Sequence, residues 1–176
     1  RTSHEIQKVE EIDAEGIKAL IDQQALADFR RRALNPNAPV TRGTAQNQDV
    51  YFQSREASNR FYDAVPDIVA GYMAQISQLT GREYHPFDYY GAADAEQVIV
   101  AMGSVTHTIR QTVDYLNKQG KKTGVVLVRL YRPFSAKYLL DVLPASVKRV
   151  TVLDRTKEPG SDGEPLYLDV RNVLSQ

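Results

Sequence analysis

At 176 residues, with 42% hydrophobic and 25% charged side chains, the chain can bury a sizeable core and is too apolar to be disordered. Its 22 basic and 22 acidic residues give a formal net charge of zero, which removes the electrostatic case for nucleic acid or an anionic membrane surface. Cysteine is absent, so disulfides, thiolate chemistry and cysteine-held zinc or iron–sulfur clusters are excluded from this segment.

No apolar run approaches the ~18–20 residues that span a bilayer, and no basic-then-apolar leader resembles a signal peptide. A cytoplasmic setting fits this composition. The chain opens at Arg1 without an initiator Met, so the expectation is a piece of a larger protein.

Residues 1–82 and 83–176 differ in texture. In the first part, 10–13 supply turn and N-cap character, and Ile17, Leu20 and Ile21 make one apolar face. A second helical stretch, 25–34, turns Leu26 and Phe29 inward, with Arg30, Arg31 and Arg32 at its end. Basic residues suit the negative end of a helix dipole, and three consecutive positions cannot share one helix face to make a phosphate site. Pro36 and Pro39 then stop the helix. A polar stretch from 42 to 60 reads as a long loop with few apolar anchors, of the kind that serves a function or packs on something else. An amphipathic helix over 67–79 carries Ile68, Tyr72, Ile76 and Leu79 on one stripe, flanked by Val69 and Met73, and Gly81 is its left-handed cap.

The second part opens with an aromatic strand over 84–90, which Pro86 confines to a sheet edge. One pattern then repeats three times: an apolar run, a break and an amphipathic helix. The runs are 98–102, 125–131 and 150–153. Val105, Ile109, Val113 and Leu116 form the buried stripe of the first helix. Leu139, Leu140 and Leu143 mark the second, and Leu166, Val170 and Leu174 the third, over 165–174. Short β-branched strands alternating with helices predict an α/β fold, with a mostly parallel sheet between two helical layers. Such sheets place ligands at the carboxyl ends of their strands.

Those ends carry the candidate polar residues. Gly103 and Ser104 lie between strand and helix, where free amides can hold an anion, and Thr106 follows them. The spaced glycines of a dinucleotide site and the Gly-Lys-Ser/Thr phosphate loop are absent, so Ser104 reads first as an ordinary N-cap. Asp154 and Arg155 stand in the charged loop after the third run, suited to a ligand contact or to inter-domain ion pairs. Arg129 interrupts an apolar strand and must be paired or led to the surface. His4, His85 and His107 match no metal spacing, and His107 is expected to face solvent. No carboxylate pair stands out as an acid/base couple, so no catalytic residue is assigned.

Several runs resemble a known family. GAADAEQVIVAMGS over 91–104, VRLYRPFS over 128–135, LDRTKEPG over 153–160 and GEPLY over 163–167 are similar to pyruvate:ferredoxin/flavodoxin oxidoreductases. So are RTSHE over 1–5, RGTAQN over 42–47 and DVYFQ over 49–53. The resemblance covers essentially the whole chain. It implies that 1–82 are the tail of a thiamine diphosphate pyrimidine-binding domain and 83–176 a transketolase C-terminal-like domain. It implies a parent enzyme that oxidatively decarboxylates pyruvate to acetyl-coenzyme A using thiamine diphosphate, Mg2+ and [4Fe-4S] clusters. Partners would be other domains of the parent chain, a second copy in a homodimer, and ferredoxin or flavodoxin. This segment would bind none of those cofactors and be catalytically silent, with Gly103, Ser104, Thr106, Asp154 and Arg155 as candidate anion or coenzyme A contacts. A free-standing nucleotide- or coenzyme A-binding α/β module is the rival reading.

Overall fold

The structure, a computed structural model, describes residue 6, residues 9–40, residue 43 and residues 45–175. The 1–5 motif, His4, Arg42 and Thr44 lie outside the described residues.

Seven helices and four strands follow in the order α1 (Ala14–Leu20), α2 (Gln23–Arg31), α3 (Gln48–Ala57), α4 (Asn59–Thr80), β1 (Phe87–Gly91), β2 (Gln97–Met102), α5 (Val105–Lys118), β3 (Thr123–Val128), α6 (Ala136–Val142), β4 (Arg149–Val152) and α7 (Pro165–Leu174) among the described residues. The strands lie in the order β1-β3-β2-β4. β2 pairs in parallel with both β3 and β4, and β1 runs antiparallel at the β3 edge, with Phe87 opposite Val128. Pro86 sits just before that edge strand, where a missing amide costs no ladder bond.

Side-chain alternation divides the core into two layers. Phe87, Val98, Val100, Val126 and Val128 face Leu139 of α6 and Leu166, Val170 and Val173 of α7. Ala101, Val125 and Leu127 face Ile109 and Val113 of α5. The β1–β3 register brings Gly91 against Gly124. A Cβ on Gly91 would stand 2.5 Å from the Gly124 Cα, and one on Gly124 would strike the Tyr89 ring. Backbones and ring approach so closely there that only glycine fits at either position.

The expected α/β/α arrangement holds for β2 and β3 but not fully for β4, whose Arg149 and Thr151 are exposed on the α5 side. The buried stripe of α5 begins at Thr106 rather than Val105, which is 38% exposed. β3 ends at Val128, so Arg129 follows the strand instead of interrupting it.

The first 82 residues depart further from expectation. The stretch expected as a loop, 42–60, holds α3 and the start of α4. Phe29 points outward at 68% exposure, and α2 stops at Arg31. Asp13 and Asp22 cap α1 and α2 by accepting from the Gly16 and Ala25 amides at 2.7 and 2.9 Å. Gly81 ends α4 in the left-handed conformation, φ 68°, as its position demanded. On α4 the expected stripe is turned outward. Ile68, Tyr72 and Leu79 are exposed, while Val69, Met73, Ile76 and Ser77 are half-buried. Among the described residues before Pro86, Pro66 alone is buried. These helices therefore have no core of their own.

Candidate functional site

The carboxyl ends of β2, β3 and β4, with the start of antiparallel β1, bring the chain's polar side chains to one rim of the sheet. Asp88 anchors it. Its side chain, 12% exposed, accepts from Arg129 Nε at 2.5 Å through Oδ2 and meets His85 Nδ1 at 2.9 Å through Oδ1. The Arg129 guanidinium lies 5.0 Å from the Tyr84 ring centroid. The Arg129 and Leu130 amides both donate to the Pro86 carbonyl, at 2.9 and 3.0 Å, so the end of β3 and the entry to β1 are tied together. Of the two outcomes expected for Arg129, pairing or exposure at the surface, the structure shows pairing, with Asp88 as the partner.

A second pairing follows β3. Arg132 Nη1 donates to Asp169 of α7 at 2.6 Å, its Nη2 donates to the Tyr131 hydroxyl at 3.0 Å, and its guanidinium stacks 3.9 Å from the Tyr131 ring centroid. Beyond β4, Asp154 reaches forward. Oδ1 accepts from the Thr156 amide and Oδ2 from the Leu166 amide, both at 3.0 Å. Glu164 occupies the N-cap of α7 without a side-chain cap bond, so Asp154 supplies the missing acceptor from ten residues upstream. Burial works against ionisation of Asp154, but the Thr156, Leu166 and Arg155 amides outweigh it and hold its carboxyl below the usual range. Lys157 pairs with Glu164 at 2.9 Å.

The five candidate contacts divide on this geometry. Gly103 (φ 81°) and Ser104 are exposed after β2, with no cap bond from the Ser104 side chain. Thr106 is 5% exposed, and its hydroxyl donates to the Gly103 carbonyl at 2.8 Å. Asp154 is spent on helix capping, while Arg155 is exposed. β2 and β4 are neighbours, so the 103–104 and 154–155 turns flank each other at the rim. His107 faces solvent.

Sequence reasoning missed two partnerships. Asp88 had a legible signal: it is a lone carboxylate in an aromatic strand. Asp67 had none. It accepts at Oδ1 from the Tyr138 hydroxyl at 2.7 Å and from Lys137 at 3.1 Å, and so ties α4 to α6.

Ion pairs and caps consume most of the rim's charge, and the described residues hold no group of three or more His, Cys, Asp or Glu that could bind a metal ion. The rim is an internally closed polar edge on an α/β module.

The comparisons with known proteins give that module its family. Residues 1–74 match the family described as pyruvate flavodoxin/ferredoxin oxidoreductase, thiamine diphosphate-binding, and 95–176 match pyruvate:ferredoxin oxidoreductase core domain II. The chain belongs to the pyruvate:ferredoxin/flavodoxin oxidoreductase family. It is 62% identical over 174 residues to a pyruvate-flavodoxin oxidoreductase of Enterobacter agglomerans, covering 99% of this chain and 15% of that protein. It is 61% identical over 176 residues to the pyruvate:ferredoxin oxidoreductase of Moorella thermoacetica, covering 100% and 15%. Among solved structures, a 2-oxoglutarate:ferredoxin oxidoreductase from Magnetococcus marinus aligns at TM-score 0.42 and 19% identity, over 70% of this chain and 21% of that one. The chain thus spans about 15% of the length of its curated relatives.

Proposed function

We propose that this chain is a non-catalytic structural and interface segment of a thiamine diphosphate- and iron–sulfur-dependent pyruvate:ferredoxin/flavodoxin oxidoreductase. The parent enzyme converts pyruvate and coenzyme A to acetyl-coenzyme A and CO2 while reducing ferredoxin or flavodoxin. The observation that carries this reading is identity above 60% along the whole chain to proteins named for that reaction. The helices of the first 82 residues, without a core of their own, support it further, since they need surface that this chain does not supply.

On this reading, 1–82 close the pyrimidine-binding domain and 83–176 form the transketolase C-terminal-like domain. Thiamine diphosphate, Mg2+ and the [4Fe-4S] clusters belong to the rest of the parent. A thiolate-held cluster has no cysteine to use here, and among the described residues no group of three or more His, Cys, Asp or Glu stands ready for Mg2+. The parent works as a cytoplasmic homodimer. No described helix is long and apolar enough to cross a membrane. Gly103, Ser104 and Arg155 are the candidate coenzyme A contacts left accessible, with Thr106 and Asp154 in support behind them.

The test is made on the full-length parent. Pyruvate and coenzyme A together should drive reduction of a low-potential viologen, and the 176-residue chain alone should reduce nothing and bind no thiamine diphosphate. A parent inert towards pyruvate overturns the assignment, and activity in the isolated chain overturns the silent role.

A further inference from the structure

α4, α6 and the entry to β1 enclose a groove of about 420 Å3. Two contacts fix its width. Asp67 of α4 accepts from Tyr138 and Lys137 of α6, and ten residues further along α4 the Ser77 hydroxyl accepts from the Tyr84 amide. Between them, the small Ala70 and Ala74 leave the groove room, and Phe87 and Val142 make its surface apolar.

Two carboxylates, Glu83 and Asp141, stand at this groove, exposed and without a hydrogen bond or ion pair among the described residues. The basic groups near them are engaged elsewhere. Lys137, four residues before Asp141 and its natural helical partner, is drawn to Asp67 at 3.1 Å. Arg82, next to Glu83, pairs with Glu10 at 3.3 Å. His85, which also lines the groove, meets Asp88 at 2.9 Å. The groove therefore joins apolar walls to unbalanced negative charge.

We propose that this groove receives a basic side chain, arginine or lysine, from the part of the parent polypeptide that lies outside this chain. The inference rests on the reading of the chain as part of a longer enzyme. The chemistry of the walls selects the occupant. Arginine and lysine carry an apolar stem behind a charged head, so one side chain can cover Ala70, Ala74 and Phe87 while its head meets Glu83 or Asp141. An acidic or wholly apolar occupant would leave both carboxylates desolvated and unpaired, which is costly. The chain spans about 15% of its relatives' length, so the parent has ample polypeptide to supply the basic residue.

Carboxyl labelling of the full-length protein with a carbodiimide and an amine, read by mass spectrometry, tests occupancy. Glu83 and Asp141 should lose most of the labelling they show in the urea-unfolded protein. Labelling equal to the unfolded level marks an open groove and overturns the proposal. Protection lost on dialysis assigns the groove to a diffusible cation, and protection lost on dilution to monomer assigns it to a second copy. Either result overturns the proposal. A neutralising variant then reads the charge of the occupant. Against a basic side chain, Glu83→Gln/Asp141→Asn should speed amide exchange across 70–77 about 10-fold. Against an uncharged one, the variant removes buried charge and exchange stays equal or slows, which overturns the proposal. Protection in a parent that fails to oxidise pyruvate removes the proposed function but leaves the filled groove standing. An active enzyme with an open groove does the reverse.

Discussion

The Tyr138 hydroxyl donates a 2.7 Å hydrogen bond to Asp67, a residue 71 positions earlier in the chain. Lys137 adds its ammonium to the same carboxylate oxygen at 3.1 Å. Together with the Tyr84 amide, which donates to Ser77 Oγ at 2.9 Å, this contact fastens α4 to the α/β body. The Tyr138 bond, with the Lys137 bond and charge behind it, holds the Asp67 carboxyl below its ordinary range, and Asp67 in turn raises Lys137. The contribution of Asp67 is therefore complete above the unfolded carboxylate range and is lost as pH falls through its lowered folded value. That of Lys137 is complete below the unfolded lysine range and lost as pH rises through its raised one. Tyr138→Phe should speed amide exchange across 67–80 at neutral pH and leave β2 and β3 unchanged. Equal exchange in both proteins would show that the contact fastens nothing.

Asp154→Ala should cost about 1 kcal/mol, the usual loss when a capping acceptor is removed from a helix N-terminus. Because the carboxyl is held low in the folded state, its contribution is present above the unfolded carboxylate range and fades as pH falls through the lowered value. Denaturant titrations at neutral and acid pH read both effects. The gap between wild type and variant should narrow in acid.

Gly124→Ala should destabilise by roughly 1–3 kcal/mol, the range for an added methyl forced into a packed site. The new Cβ collides with the Tyr89 ring, whose hydroxyl donates to the Ala92 carbonyl at 2.5 Å. Thermal unfolding measures the loss. The double variant Gly124→Ala/Tyr89→Phe, which keeps the ring, should not restore stability, whereas Gly124→Ala/Tyr89→Ala should relieve the clash.

Leu139→Ala removes a side chain that is 0% exposed between α6 and the sheet, and should cost about 2–5 kcal/mol. Leu140→Ala, one residue on but 50% exposed, should cost far less in the isolated chain. Chemical denaturation of both variants makes the comparison.

The β-α alternation was legible because burial on both faces leaves a signal that no polar residue interrupts: Val125 to Val128 admits little besides a central strand. The helices of the first part were harder to read for the converse reason. Gln48 to Ala57 is helical with every residue exposed, so no inward face patterns its sequence, and polarity resembled a loop. In α4 two apolar faces compete. Sequence favoured Ile68, Tyr72, Ile76 and Leu79, of which Ile76 alone is half-buried, whereas the face towards the α/β body carries the small Ala70, Ala74 and Ser77. At the rim, Gly103 and Asp154 were correctly placed at strand ends. Periodicity, however, could not foresee that Thr106 would turn its hydroxyl inward to a carbonyl, or that Asp154 would reach twelve residues ahead to the Leu166 amide of a helix.

Residues 9–80 leave the ribosome before any strand of the sheet has been made, and α1 to α4 arrive carrying Phe29, Phe52, Phe61 and Tyr72 open to water. With no core of their own, these helices stay sticky while the rest of the parent leaves them uncovered, which would make them natural clients for chaperones during synthesis. Expressed without that covering, the chain should associate through its first half while its second half remains correctly folded.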